Sequence, residues 1–219
     1  RSITGDGLRD TLQKISEHLP ALKIQSVVSG TKVFDWTVPK EWGIKEAYII
    51  TPKGKKICDF SENNLHLVGY SIPFKGEVTF DELKKHLYTL PDQPNAIPYV
   101  TSYYKQRWGF CLSQEQLDSL ENGTYKVVIE SSLFDGELNY GELLIKGKSD
   151  KEIFLSTCIC HPSMANNELS GLTVVTFISK WLQEIRNPNF SYRIIFIPET
   201  IGSITYLSQN YIDMKNKIF

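Results

Sequence analysis

Apolar residues recur at helical spacing over residues 7–19, where Leu8, Leu12, Ile15 and Leu19 form one stripe that Pro20 ends, so the chain is expected to open on a packing helix. Residues 23–28 then alternate as a strand, and Ser29-Gly30-Thr31 turns the chain into Val33-Phe34-Asp35-Trp36. Asp35 reads either as a binding carboxylate or as a turn former among core aromatics. From residue 38 the texture changes to short strand-like pieces divided by turn residues. Residues 47–51 and 57–60 read as a hairpin across Pro-Lys-Gly-Lys-Lys, further pieces fall at 65–70 and 77–78, and Thr79 with Glu82 makes a capping-box pattern before Leu83. Residues 113–120 form a short serine-capped helix, and 125–131 pairs with 138–145 as a hairpin across Asp135-Gly136.

The last third of the chain changes pattern again. Residues 152–160 are an apolar run that stops at His161-Pro162, where proline forbids further ladder pairing. Small and polar residues follow, then an apolar helix over 172–185. Residues 192–197 repeat the arrangement: a buried run, a break at Pro198-Glu199-Thr200-Ile201-Gly202-Ser203, and a helix over 204–217. Two strand-helix units in series predict right-handed crossovers in one parallel stretch of sheet. In open α/β sheets ligands bind where strands end and helices begin, so His161, Asn166, Asn167, Glu168 and Glu199 fall on one sheet edge.

Composition narrows the partners. With 24 basic against 25 acidic side chains in 219 residues, charge gives no case for nucleic acid or an anionic membrane, and no apolar run reaches membrane-spanning length. Cys158 and Cys160 lack the C-x-x-C spacing of zinc and redox sites. With Cys58 and Cys111 they read as reduced core thiols of a cytoplasmic protein. No signal peptide is visible, although the chain begins at Arg1 without a methionine. Tyr99, Tyr103, Tyr104, Trp108 and Phe110 crowd one segment with Lys105 and Arg107, as the lining of a pocket or as anchors of a domain interface.

A hydrolytic zinc site needs imidazole and carboxylate ligands and a nearby carboxylate base. His161 and Glu168 are candidate ligands and Glu199 the candidate base, whereas His18, His66 and His86 lack ligand-type neighbours and read as structural or solvated. Helix-cap and loop chemistry would account for Glu199, Asn166 and Asn167 one at a time, but not for their gathering at one edge.

The motifs C-H-P-S-M-A-N-N-E-L-S-G and P-E-T-I-G-S, with S-G-T-K-V-F-D-W-T-V-P, Y-S-I-P and P-Y-V-T-S-Y-Y-K-Q-R-W-G-F-C upstream, resemble a bacterial aminopeptidase-like family of domains of unknown function related to zinc aminopeptidases. The resemblance implies an α/β, zinc-exopeptidase-like mixed sheet flanked by helices and interrupted by a smaller inserted domain; the change of texture puts that mostly β insert at about 38–100, which leaves residues 1–37 and 101–219 to the α/β domain. The resemblance also implies zinc as cofactor and a small peptide or amide as substrate, with an acylated amino sugar as one form if the protein serves polysaccharide synthesis. Alignment places His161 at the first metal ligand, Asn167 at the bridging aspartate with Glu168 next to it, Glu199 at the general base and Thr200 at a carboxylate ligand. Asparagine is a neutral, poorer bridge and threonine a poor substitute for a carboxylate. A one-metal hydrolase and a catalytically degenerate binding protein both remain open. The family's remaining ligands come from later strands, so a longer protein is expected.

Overall fold

Pairing of non-adjacent strands divides the chain into two units, one built from the residues up to Glu41 together with Phe134–Phe219, the other from Trp42–Leu133. The computed structural model describes residues 2–219. In chain order the first unit supplies α1 (Asp6–His18), β1 (Lys23–Val28), β2 (Lys32–Val33) and β3 (Trp36–Thr37). Next come β4 (Glu41–Ile50), β5 (Lys56–Ile57), β6 (Phe74–Thr79), α2 (Phe80–Lys84), β7 (Leu87–Tyr88), β8 (Phe110–Cys111), α3 (Gln114–Asp118) and β9 (Thr124–Phe134). The chain then returns to the first unit for β10 (Glu137–Ile145), β11 (Glu152–Cys158), α4 (Ser170–Glu184), β12 (Ser191–Ile197) and α5 (Ile201–Lys217).

The first unit is an α/β layer on a mixed four-stranded sheet ordered β1-β10-β12-β11. Only β11 and β12 run parallel, in the register Leu155↔Ile194 and Cys158↔Ile197, while β10 is antiparallel to both β1 and β12. Strand alternation sends Ile194 and Phe196 to one face, where they meet Leu143, the stripe Leu8, Leu12, Ile15 and Leu19, and Leu182 of α4 in one core. Arg193 takes the opposite face. There its guanidinium is clamped by Glu152 at 2.5 and 3.1 Å and reaches Tyr206 Oη at 3.0 Å and Asp213 at 2.6 Å, which ties α5 to the sheet. Helices thus flank both faces. Among the described residues no helix is long and apolar enough to cross a membrane. α4 leaves Val174, Phe177, Ile178 and Trp181 exposed.

The second unit is a separate four-stranded sheet ordered β5-β4-β9-β6, with a two-stranded β7-β8 piece and two short helices. The residue-100 boundary expected from texture falls inside this unit, because β9 pairs antiparallel with β6 from Phe74↔Ile129 to Thr79↔Thr124 and carries the chain to Leu133. The expected hairpin of 125–131 with 138–145 does not form: β9 belongs to this sheet and β10 to the other. The crowded aromatics pack within the unit. Trp108 stacks on His86 at 3.7 Å and on Phe74 at 4.4 Å, Tyr103 stands edge-on to Tyr70, and Tyr99 Oη lies 3.0 Å from Tyr103 Oη. His66 Nδ1 meets the Cys111 carbonyl at 2.8 Å and His86 Nδ1 that of Trp108 at 3.1 Å, so both are structural histidines.

Candidate metal centre

β11 ends at Cys158, and the amide of Ile159 still reaches the Ile197 carbonyl at 3.2 Å, so the chain leaves the sheet only after it has presented Cys160 and His161. Pro162 cannot donate to the ladder, and Ser163 turns the backbone at φ 52°. Ala165–Leu169 then forms a single π-turn in which the Glu168 and Leu169 amides both bond the Met164 carbonyl, at 3.2 and 3.4 Å. Wide turns of this kind are frequent at functional sites. Here the turn folds Glu168 back under the strand end, where it is 1% exposed.

Glu168 Oε1 accepts the His161 backbone N–H at 2.9 Å, lies 3.3 Å from His161 Nδ1 and takes the Cys160 thiol at 3.5 Å. Its other oxygen, Oε2, is buried without a hydrogen-bond partner. Asn167 Oδ1 sits 2.9 Å from His161 Nδ1. Both residues of the turn therefore address the same side of the imidazole ring.

The second strand supplies the other side. β12 ends at Ile197, and Pro198, Glu199 and Thr200 turn it into α5; the Glu199 carboxylate stands 3.1 Å from His161 Nε2, while its backbone N–H donates to Cys160 Sγ at 3.2 Å. Thr200 holds φ 58° and ψ −86°, a conformation that a β-branched residue adopts only under strain. Gly202 makes the tight turn possible, since a Cβ there would lie 2.9 Å from Pro198 Cδ and 3.0 Å from Ile197 Cγ1.

Of the five residues singled out in the sequence, His161, Asn167, Glu168 and Glu199 are thus brought together; Asn166 lies in the same turn, exposed, with its carbonyl accepting the Ser170 hydroxyl, and Thr200 adjoins Glu199. Cys160 was missed. One donor atom each of Cys160, His161 and Glu199 lies within 4.8 Å of the others. Burial pushes the Cys160 thiol well above its usual range, and the Glu168 charge adds to this, while the Glu199 N–H opposes it. Cys158 is raised as well, first by burial and then by the charges of Glu199 and Glu168.

A donor set of imidazole, carboxylates and thiol suits zinc, and a buried carboxylate oxygen with no partner is what a cation would satisfy. The residues fit such a group.

These features define a protein of the aminopeptidase-like α/β class. Among solved structures the fold resembles a peptidase M28 precursor from Shewanella amazonensis, with TM-score 0.65 and 11% identity over 99% of this chain and 65% of that one. It also resembles a zinc aminopeptidase from Bacillus subtilis, with TM-score 0.57 and 10% identity over 90% and 56% of the two chains. At these identities the likeness concerns the fold alone. The chain belongs to the family described as domain of unknown function DUF4910, whose model matches residues 1–218. It is 55% identical over 216 residues to a Clostridium acetobutylicum protein whose name gives it an aminopeptidase-like domain and, provisionally, a part in polysaccharide biosynthesis. The match covers 99% of this chain and 49% of that protein, so the chain spans about half its length. A crystal structure from the same organism, provisionally named a peptidase, superposes with TM-score 0.95 at 54% identity, over 99% of this chain and 51% of that one.

Proposed function

We propose that this protein is a metal-dependent hydrolase of a small peptide or amide, with zinc as the metal. The observation that carries this reading is the convergence of His161, Glu168 and Glu199 from two successive parallel strands, with Glu168 Oε2 buried and unpartnered. His161 would hold the metal, and the Glu168 carboxylate and Asn167 amide oxygen, in contact with the same ring, are the further candidate donors. When bound, zinc supplies Lewis-acid polarisation of the amide carbonyl. Glu199, whose side chain is 55% exposed, is the carboxylate free to accept a proton from the attacking water and return it to the departing amine nitrogen. The Glu168 contacts with the His161 amide and Nδ1 fix the ring, as outer partners of ligating histidines do. The relative's name motivates one specific substrate form, an N-acylated amino sugar, beside peptides.

A second reading has its own support. Asn167 and Thr200 stand where the resembling enzymes carry carboxylates, which favours a catalytically degenerate binding protein of the same fold. Metal content and turnover of the full-length protein separate the two. Glu199→Gln should keep its zinc and lose about two to four orders of magnitude in turnover on a peptide amide or an N-acetyl amino sugar. His161→Ala should lose the metal itself. Loss of zinc in Glu199→Gln would make Glu199 a ligand, and absence of hydrolysis in the unaltered protein would leave the binding reading.

A further inference from the structure

We infer that Cys160 is a metal ligand, contributing a thiolate beside His161 at the centre proposed above, so that the site is a mixed sulfur, nitrogen and oxygen site. This rests on that reading's metal but not on its chemistry. Neither the motif pattern nor the C-I-C spacing points to it, since a cysteine ending a buried strand reads as core.

Three observations carry the assignment. First, the Cys160 donor atom forms a compact group with those of His161 and Glu199, all within 4.8 Å of one another, so an ion held by His161 comes within reach of the sulfur with small side-chain adjustments while Glu199 stays beside it as the base. Second, Sγ has two polar neighbours: it lies 3.5 Å from Glu168 Oε1 and accepts the Glu199 backbone N–H at 3.2 Å. Third, the carboxyl group that meets the thiol has its other oxygen buried without a partner, an unsatisfied anionic demand at the same spot. A structural thiol would need none of these.

The step balances without an oxidant or reductant. As the sulfur–metal bond forms, the S–H bond is lost and its proton passes to solvent. A sulfur donor also offsets the departure at Asn167, because a neutral amide oxygen leaves the site short of the negative charge that an aspartate would bring.

The test is X-ray absorption at the zinc edge of the full-length, zinc-loaded protein, which needs no variant. One sulfur scatterer at about 2.3 Å, distinct from nitrogen and oxygen neighbours at about 2.0–2.2 Å, is the expected result. Cobalt(II) loaded into the metal-free protein should give a near-ultraviolet thiolate-to-cobalt charge-transfer band that Cys158→Ser retains and Cys160→Ala loses. Zinc bound with an all-nitrogen and oxygen shell, or a charge-transfer band that survives in Cys160→Ala, overturns the inference and leaves the hydrolase reading standing. No zinc bound at all overturns both.

Discussion

His161 Nε2 lies 3.1 Å from Glu199 Oε2, and the two residues come from the ends of neighbouring parallel strands, β11 and β12. The pairing Cys158↔Ile197 puts both strand ends at the same height, so the residues just beyond them meet. The two departures from the sheet differ in kind. After β11 the chain makes a π-turn that buries a carboxylate; after β12 a strained Thr200 leaves a carboxylate half in solvent. The same edge therefore carries one fixed acid group and one accessible one, as a centre needs when one carboxylate orients a ligand and another exchanges protons.

Thr200→Gly tests whether that strain serves Glu199. A non-glycine residue at φ 58°, ψ −86° costs of order 1–3 kcal/mol, and glycine removes this while adding about 0.5–1 kcal/mol of unfolded-state freedom. The variant should be about as stable as the parent or more stable, read by urea midpoint. If the strained turn aims Glu199 at His161, turnover should nevertheless fall. A marked loss of stability would show that the threonine side chain, not its backbone, matters.

The Arg193 cluster makes a separate prediction about the fold. Arg193 is buried and shared by Glu152, Glu142 and Asp213, with Tyr206 Oη bonded to Glu142 as well as to the guanidinium. Burial works to lower the arginine pKa, but the bonds from Glu152 and Tyr206 outweigh it and hold the guanidinium charged. Arg193→Met strands two partly buried carboxylates and should cost about 3–5 kcal/mol in chemical denaturation. Adding Glu152→Gln to the Arg193→Met variant should recover part of that loss. Additive losses would contradict the coupling.

Acid should weaken the first unit through Glu41. Burial pushes its carboxyl up, but the Arg9 bond at 2.6 Å and the Glu137 amide at 3.0 Å outweigh this, and the carboxyl is held below its ordinary value of 4.5. Asp213 is lowered too, chiefly by Lys217. A carboxyl lowered in the folded state contributes stability that is complete above the unfolded value and disappears as pH falls through the folded one. Unfolding midpoints should therefore drop below pH 4.5, and Glu41→Gln should flatten that drop while lowering the plateau at neutral pH. An unchanged acid slope in Glu41→Gln would count against the pairing.

Much of this was legible in the chain because it is local. The α1 stripe, the strand-helix alternation after residue 152 and the placement of His161 and Glu199 follow from periodicity and from where proline interrupts a run. The misread hairpin is instructive: β9 and β10 alternate well and flank Asp135-Gly136, a turn signal, yet their partners are β4 and β6 in one case and β1 and β12 in the other. Pairing across sheets is a non-local choice that alternation cannot encode. Cys160 was illegible for the same reason, since what distinguishes it from a core thiol is an N–H delivered by Glu199 from another strand. Glu168 was visible as a candidate, but the π-turn that buries it has no sequence signature.

Gly136 offers the sharpest test of packing at that turn. Its amide donates to Ser29 Oγ at 3.1 Å and its carbonyl accepts the Ser29 N–H at 2.9 Å, so the backbone is pinned against the end of β1. A Cβ on Gly136 would overlap Glu41 Oε2 and lie 2.6 Å from Glu41 Cβ and 3.0 Å from Glu41 Cδ, too close to coexist with the carboxylate where it stands. Gly136→Ala must therefore displace Glu41 from Arg9 and from the Glu137 amide. Overpacking of this kind costs about 1–3 kcal/mol, and loss of the pair adds to it. Glu41→Gly takes away the obstruction, Cβ included, together with the pair, so Gly136→Ala should cost much less in that background than in the parent and the double-mutant cycle should show strong coupling. Equal costs in the two backgrounds would mean that the glycine is required for its own backbone and not for the space it leaves to Glu41.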